Sequence, residues 1–215
     1  MKDKRKKKRR KIKKKVIIIL LVVFALIVSG IIIFVIASGK DNNISNKEPV
    51  QIKDNMEDYD YYLNDNATSY YEELYRELED ILNEEVVDDA LFAKTITKLF
   101  ITDVFTLDNK ISSSDIGGLQ FIHTKFKDDF VSIAKTTLYS SVQSNIYGDR
   151  KQKLPVVNKV EITSEKTSTF TYKKVKYDSY VFNATIGYEK DLGYPSKYKV
   201  TLIKNDKYWQ VVAGE

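Results

Sequence analysis

His123 is the chain's only histidine, and cysteine is absent altogether. A neutral imidazole could act as a general base or as one ligand of a metal ion, but either task needs partners. With no thiolate and no second imidazole, only carboxylates could complete such a site, and no HExxH or paired-histidine spacing occurs. His123 is therefore read as a polar surface or helix-flanking side chain beside Phe121 and Ile122. Gly117-Gly118, just after Asp115, could cradle an anion at the start of a helix. No strand precedes it, and neither a P-loop nor a GxGxxG pattern is present, so it is read as a turn and cap. Asp88-Asp89 and Asp128-Asp129 are adjacent pairs, which on a helix point apart; one residue that caps and one that is solvated accounts for each pair. No calcium-loop alternation of Asp and Asn appears, and GxSxG is missing. The sequence assigns no catalytic, cofactor-binding or metal-ligating residue, calls for no cofactor, and reads as a non-enzyme.

The 15 tyrosines are the unusual group, several of them along Tyr59–Tyr75 and Tyr172–Tyr198. Their rings offer apolar faces with a wet hydroxyl edge, which suits an interface. Tyrosine standing in for phenylalanine in strands and at core edges is the simpler account, and both remain open at this level.

The elements that must carry these residues begin with a segregated charge pattern. Residues 1–15 hold 12 Lys or Arg and one Asp, whereas the rest of the chain holds 23 basic and 29 acidic residues. The net charge of +5 and the basic isoelectric point thus belong to the tail. The remainder is mildly acidic, so no nucleic-acid surface is expected on it. From Val16 to Ala37 the sequence is apolar apart from Ser29 and Gly30. As a helix this stretch spans about 33 Å, enough for a hydrocarbon core of about 30 Å. The excess of Lys and Arg before it keeps the N-terminus cytoplasmic, so the C-terminal part is expected outside the cell membrane. The tail is also expected to attract anionic lipid heads. A cleaved signal peptide and a nucleic-acid-binding arm are the competing readings of this region; the apolar stretch is long for the first, and the tail lacks aromatics for the second.

Residues 38–55 are polar, without apolar periodicity, and read as a flexible linker. The outer domain is placed at residues 56–215. Ser69-Tyr70-Tyr71-Glu72 has capping-box spacing and precedes a stripe of Tyr71, Leu74, Tyr75, Leu78, Ile81 and Leu82. A second helix is expected from about Asp89 to Phe105, capped by Asp88 or Asp89. A third is expected from Ser114 or Asp115 to about Ile146, on a stripe that includes Leu119, Ile122, Phe126, Phe130, Ile133, Leu138 and Val142, with Gly148 as its left-handed stop. After Pro155 the period becomes two. Val156, Val160 and Ile162, then Phe170 and Tyr172, Tyr180 to Ile186, Tyr198 to Leu202, and Tyr208 to Val212 read as strands. Hairpin turns fit Lys173–Tyr177, Lys190–Ser196 with Gly193, and Asn205-Asp206. Helices first and a contiguous antiparallel sheet last define an α+β fold, about three helices on a curved sheet of about four strands behind a transmembrane helix.

The ending, Tyr198-Lys-Val-Thr-Leu-Ile-Lys-Asn205-Asp206-Lys-Tyr-Trp209-Gln-Val-Val212, resembles the last two strands of the NTF2-like superfamily: an alternating strand, a polar turn and a Trp-bearing strand. A basic tail, one membrane helix and such a domain are similar to the VirB8- and TcpC-type proteins of conjugative secretion systems. The resemblance covers roughly residues 68–213 and transfers no functional residue. It implies a cone whose open end holds a small ligand or docks a partner. The usage of Lys, Ile, Asn and Tyr fits an AT-rich genome and points to a low-GC Gram-positive bacterium. The expected function is a membrane-anchored extracytoplasmic binding or scaffold subunit of a bacterial envelope assembly, with other envelope proteins as partners. The alternative is a membrane-tethered cone that binds a small ligand or performs catalysis.

Overall fold

The computed structural model describes residues 49–215. The basic tail at 1–15, the membrane span at 16–37 and the linker as far as residue 48 lie outside the described residues. Among the described residues no helix is long and apolar enough to cross a membrane.

The first element among the described residues falls where a linker was expected. Strand β1 (Ile52–Met56) pairs antiparallel with β2 (Tyr61–Asn64) through a 3-10 turn at Glu57–Tyr59. Asp60 closes that turn in the left-handed region, at φ 53°. Tyr61 and Leu63 point inward and are buried, whereas β1 stays largely exposed. Period-two patterning over so short and acidic a stretch is too faint to mark a strand, which explains why the boundary at residue 55 misses it.

Helix α1 (Ser69–Leu82) buries Tyr71, Leu74, Tyr75, Leu78 and Ile81, the stripe read from the sequence. Its cap differs by one residue: the side chain of Thr68 accepts from the Tyr71 amide at 3.3 Å. Helix α2 (Asp89–Phe105) starts at Asp88, whose carboxylate accepts from the amides of Ala90 and Leu91 at 2.9 and 3.0 Å. Its buried residues lie around most of its circumference, from Phe92 and Thr95 to Ile101 and Phe105. A helix apolar on nearly every side must be central, and α2 packs between α1 and the main sheet.

That sheet has the order β3-β4-β5-β6, with every pair antiparallel: β3 (Val157–Tyr172), β4 (Val175–Tyr188), β5 (Lys197–Asn205) and β6 (Tyr208–Gly214). Phe182, Ala184 and Ile186 of β4, Val200 and Leu202 of β5, and Trp209 and Val211 of β6 join Phe92, Ile96, Leu99 and Phe100 of α2 in the main core. The ladder register is offset between Ile162 and Ser164 and between Thr201 and Leu202. Such irregularities bend a strand and sharpen its twist.

The third helix is much shorter than its apolar stripe. Gly118, at φ 75°, opens a 3-10 turn at Leu119–Phe121, and Ile122 then runs extended to bridge Val211 on the free edge of β6. Only Thr124–Thr136 forms helix α3. It stops at two threonines whose hydroxyls bond back to the carbonyls of Ser132 and Ile133, one of the ways such residues loosen a helix. The later members of the stripe sit in turns: Val142 is buried, whereas Ile146 is 47% exposed. Gly148 keeps its left-handed conformation in a turn closed by its amide on Asn145 O, not at a helix end.

Candidate binding groove

His123 is placed by two neighbours. Its amide donates to the carbonyl of Val211 at 3.0 Å, continuing the bridge to β6. Its Nδ1 accepts from the Lys125 amide at 3.2 Å, so the imidazole caps α3. The ring is 5% exposed and meets Phe126 edge-on at 5.8 Å. Burial, with the Lys125 charge behind it, holds its pKa below the ordinary histidine value. The imidazole is thus occupied in fixing the turn between Ile122 and α3.

Gly117-Gly118 serves close packing. A β-carbon on Gly117 would lie 2.2 Å from the Asp103 carbonyl, so only glycine fits there. The Gly118 amide donates to Asp103 Oδ2 at 2.6 Å, and the Gly117 amide donates to the Tyr139 hydroxyl at 3.0 Å. Both amides that could have met an anion are engaged within the protein. Asp89 accepts from Trp209 Nε1 at 3.0 Å and pairs with Lys204, which ties the start of α2 to β5 and β6. Burial pushes its pKa up, but the bonds from Lys204 and Trp209 outweigh that and hold it below the ordinary value. Nothing in the local spacing signals this link, since the partners are more than a hundred residues apart. Asp128 and Asp129 are both exposed. Among the described residues no group of three or more metal-capable side chains comes together.

Several tyrosines prove to be core residues. Tyr61, Tyr71, Tyr75 and Tyr139 are buried. The Tyr75 hydroxyl donates to Tyr61 O, that of Tyr139 donates to Val104 O, and that of Tyr71 accepts from Gln120. The Tyr61 hydroxyl is buried without a hydrogen-bond partner, and the burial of all four rings favours the reading in which tyrosine takes the place of phenylalanine.

Two concavities are of interest as sites. A polar cleft of about 220 Å³ lies among Tyr62, Asn64, Asn66, Asp103, Asn109, Lys110 and Asp115. Its groups largely satisfy one another: Lys110 pairs with Asp103 at 2.5 Å, Asn66 and Asn109 exchange side chain-to-backbone bonds, and Asp115 accepts from the Ile111 amide. Asn109 Oδ1 is buried there without a hydrogen-bond partner.

The other is an apolar groove of about 500 Å³. Its floor is Val104 and Phe105 at the end of α2, Tyr198 of β5, and Val211–Gly214 of β6. Its outer wall is Ile122, then Phe126, Phe130, Ile133 and Ala134 of α3, then Leu138. Asp129 and Thr137 lie on this wall as its polar side chains, and Pro195 closes one end. Ile133 is 62% exposed, an apolar side chain left facing water beside a concave apolar surface. The lining comes from residues 104 to 214, so no contiguous motif could announce it; the sole local hint was that the stripe of α3 continued past its structural need. Comparison with known proteins finds no matching family model, no matching curated protein and no matching solved structure.

Proposed function

We propose that this chain is a membrane-anchored, extracytoplasmic binding or scaffold subunit of a bacterial envelope assembly, of the conjugation or secretion kind. Its outer domain is an NTF2-like cone that docks an apolar segment of a partner protein, and it is not an enzyme. The observation that carries this reading is the groove between α3 and β6, lined mainly by apolar side chains that include exposed Ile133. Burying such a surface against an apolar side chain contributes about 25 cal/mol per Å², and an anchor in a pocket is how interfaces concentrate affinity. Three helices against an antiparallel four-stranded sheet support the cone resemblance. The apolar run Val16–Ala37 after a basic tail supports the anchor and its orientation. A second reading, a membrane-tethered cone that holds a small apolar ligand or acts on one, is favoured by the groove's volume of about 500 Å³, within the usual range for ligand pockets.

A photo-crosslinking residue placed at position 133 of the full-length chain in intact cells separates the two. Position 86 serves as the control, because Val86 is 84% exposed and lies far from the groove in sequence. A discrete protein adduct from position 133, absent from 86 and absent when Phe130 is also changed to Asp, supports docking. An adduct of only a few hundred daltons would move the assignment to the small-ligand reading, and no specific adduct would remove both.

A further inference from the structure

The β3–β4 hairpin is longer than the sheet needs. Its ladder runs to the pair Tyr172↔Val175, whereas β5 pairs with β4 only between Ser179 and Thr185. Residues 169–178 therefore project as a two-stranded ribbon. Ribbons of this kind are marginal by themselves, and this one is supported from one side: Phe126 of α3 meets Phe170 at 6.0 Å and Tyr172 at 5.0 Å.

Its apex is built against local preference. The two central turn residues, Lys173 and Lys174, both have positive φ, at 47° and 67°. A two-residue turn of this hand is formed most easily by Asn-Gly, and a β-carbon in the left-handed region is disfavoured. Two lysines there give up backbone ease for charge. Lys173, Lys174 and Lys176 are exposed, and among the described residues none of them forms an ion pair. Val175, between them, is 51% exposed. Lys125 adds a fourth cation, 5.6 Å over the Tyr172 ring. From Phe170 to Lys176 there is no acidic residue, although residues 49–215 as a whole carry 27 acidic and 21 basic side chains. The apex is a cationic, apolar-tipped spot on an acidic domain.

We propose that this apex rests on an anionic lipid surface, with Lys173, Lys174 and Lys176 on the headgroups and Val175 at the acyl boundary. This rests on the reading of residues 16–37 as a membrane anchor. Fourteen residues, 38–51, separate that stretch from β1. Whatever path they take, they cannot span more than about 50 Å, so the domain is confined near the bilayer. The linker joins β1 at Ile52, the end of that strand away from the Glu57–Tyr59 turn, and a reach of about 50 Å still lets an apex at the other end of the sheet meet the bilayer. Basic residues near an anionic leaflet each gain about 1 kcal/mol, and a small apolar tip adds contact that charge alone does not give.

The absence of cysteine makes the test direct. Full-length chain carrying Val175→Cys, labelled with an environment-sensitive fluorophore, is reconstituted into nanodiscs of phosphatidylcholine with or without phosphatidylglycerol. Nitroxide lipids serve as quenchers, and a Val86→Cys label is the control. Expected is quenching at 175 and not at 86, only with the anionic lipid. The combined K173Q, K174Q and K176Q change should weaken the contact roughly a hundredfold. Incorporation into discs without quenching at 175 overturns the proposal while leaving the anchor intact. Equal quenching in neutral discs, or a response only to an added soluble anionic polymer, also overturns it. Failure to incorporate at all would instead remove the anchor, and this proposal with it.

Discussion

His123 holds its ring against Phe126 and commits Nδ1 to the Lys125 amide, so a proton on that nitrogen would remove the acceptor that starts α3. Burial first, and Lys125 second, lower its pKa from 6.5. The folded state therefore binds this proton more weakly than the unfolded chain does. Its share of stability is intact above about pH 6.5 and is lost as pH falls through the lowered value. His123→Asn keeps a good capping acceptor and has nothing to titrate. Urea midpoints measured at about pH 7.5 and about pH 5 should fall further on acidification for the parent chain than for the variant. Equal falls would mean that the imidazole is not the group responsible. At this scale the sequence was informative: a lone histidine without thiols or a second imidazole has few chemical roles, and a helix-flanking one is what the structure gives it. The anchoring of Asp89 to Trp209 and Lys204 was invisible, since it joins a helix start to strands at the far end of the chain.

Helix starts are set by side-chain acceptors, and α1 tests how finely they can be read. Ser69 and Glu72 carry the spacing of a capping box, yet it is Thr68 whose side chain meets the Tyr71 amide. Thr68→Ala should lower stability by about 1 kcal/mol, and Ser69→Ala by less than about 0.5 kcal/mol, both read from denaturant melts. The opposite order would move the cap to Ser69. The stripe of α1 was legible because that helix buries one face whose period its sequence repeats, and α2 was legible from its Asp88 cap and a mainly apolar run of helical length. The stripe after residue 114 misled because turns place apolar residues at the same three- and four-residue steps. A positive φ at Gly118, the extended Ile122 and the paired Thr136-Thr137 break one apparent helix into a 3-10 turn, a short helix and a looped return. The strands after Pro155 were read largely as they stand, although β3 is one strand of 16 residues and not two. The β1–β2 hairpin escaped because only Tyr61 and Leu63 of its residues are buried. The groove escaped because four elements contribute to it and none of them contains it.

Across the whole chain, charge and hydropathy divide the labour more clearly than any motif does. The first 15 residues hold 12 of the chain's 35 basic side chains, and the apolar stretch, broken only by Ser29 and Gly30, ends at Ala37. Residues 49–215 supply a self-contained core, and among them no helix could span a bilayer. The full-length chain should accordingly stay in the membrane pellet after an alkaline carbonate wash. A version lacking residues 1–48 should appear in the soluble fraction with the same far-ultraviolet dichroism per residue from its folded part. A full-length chain released by carbonate would remove the anchor. The chain's one tryptophan adds a convenience of position. Trp209 is 3% exposed, lies 4.8 Å from the Tyr180 ring, and donates to Asp89 at the first turn of α2. A single indole pinned at the joint between the central helix and the sheet is a built-in optical gauge. Its emission should redden as that joint opens under denaturant.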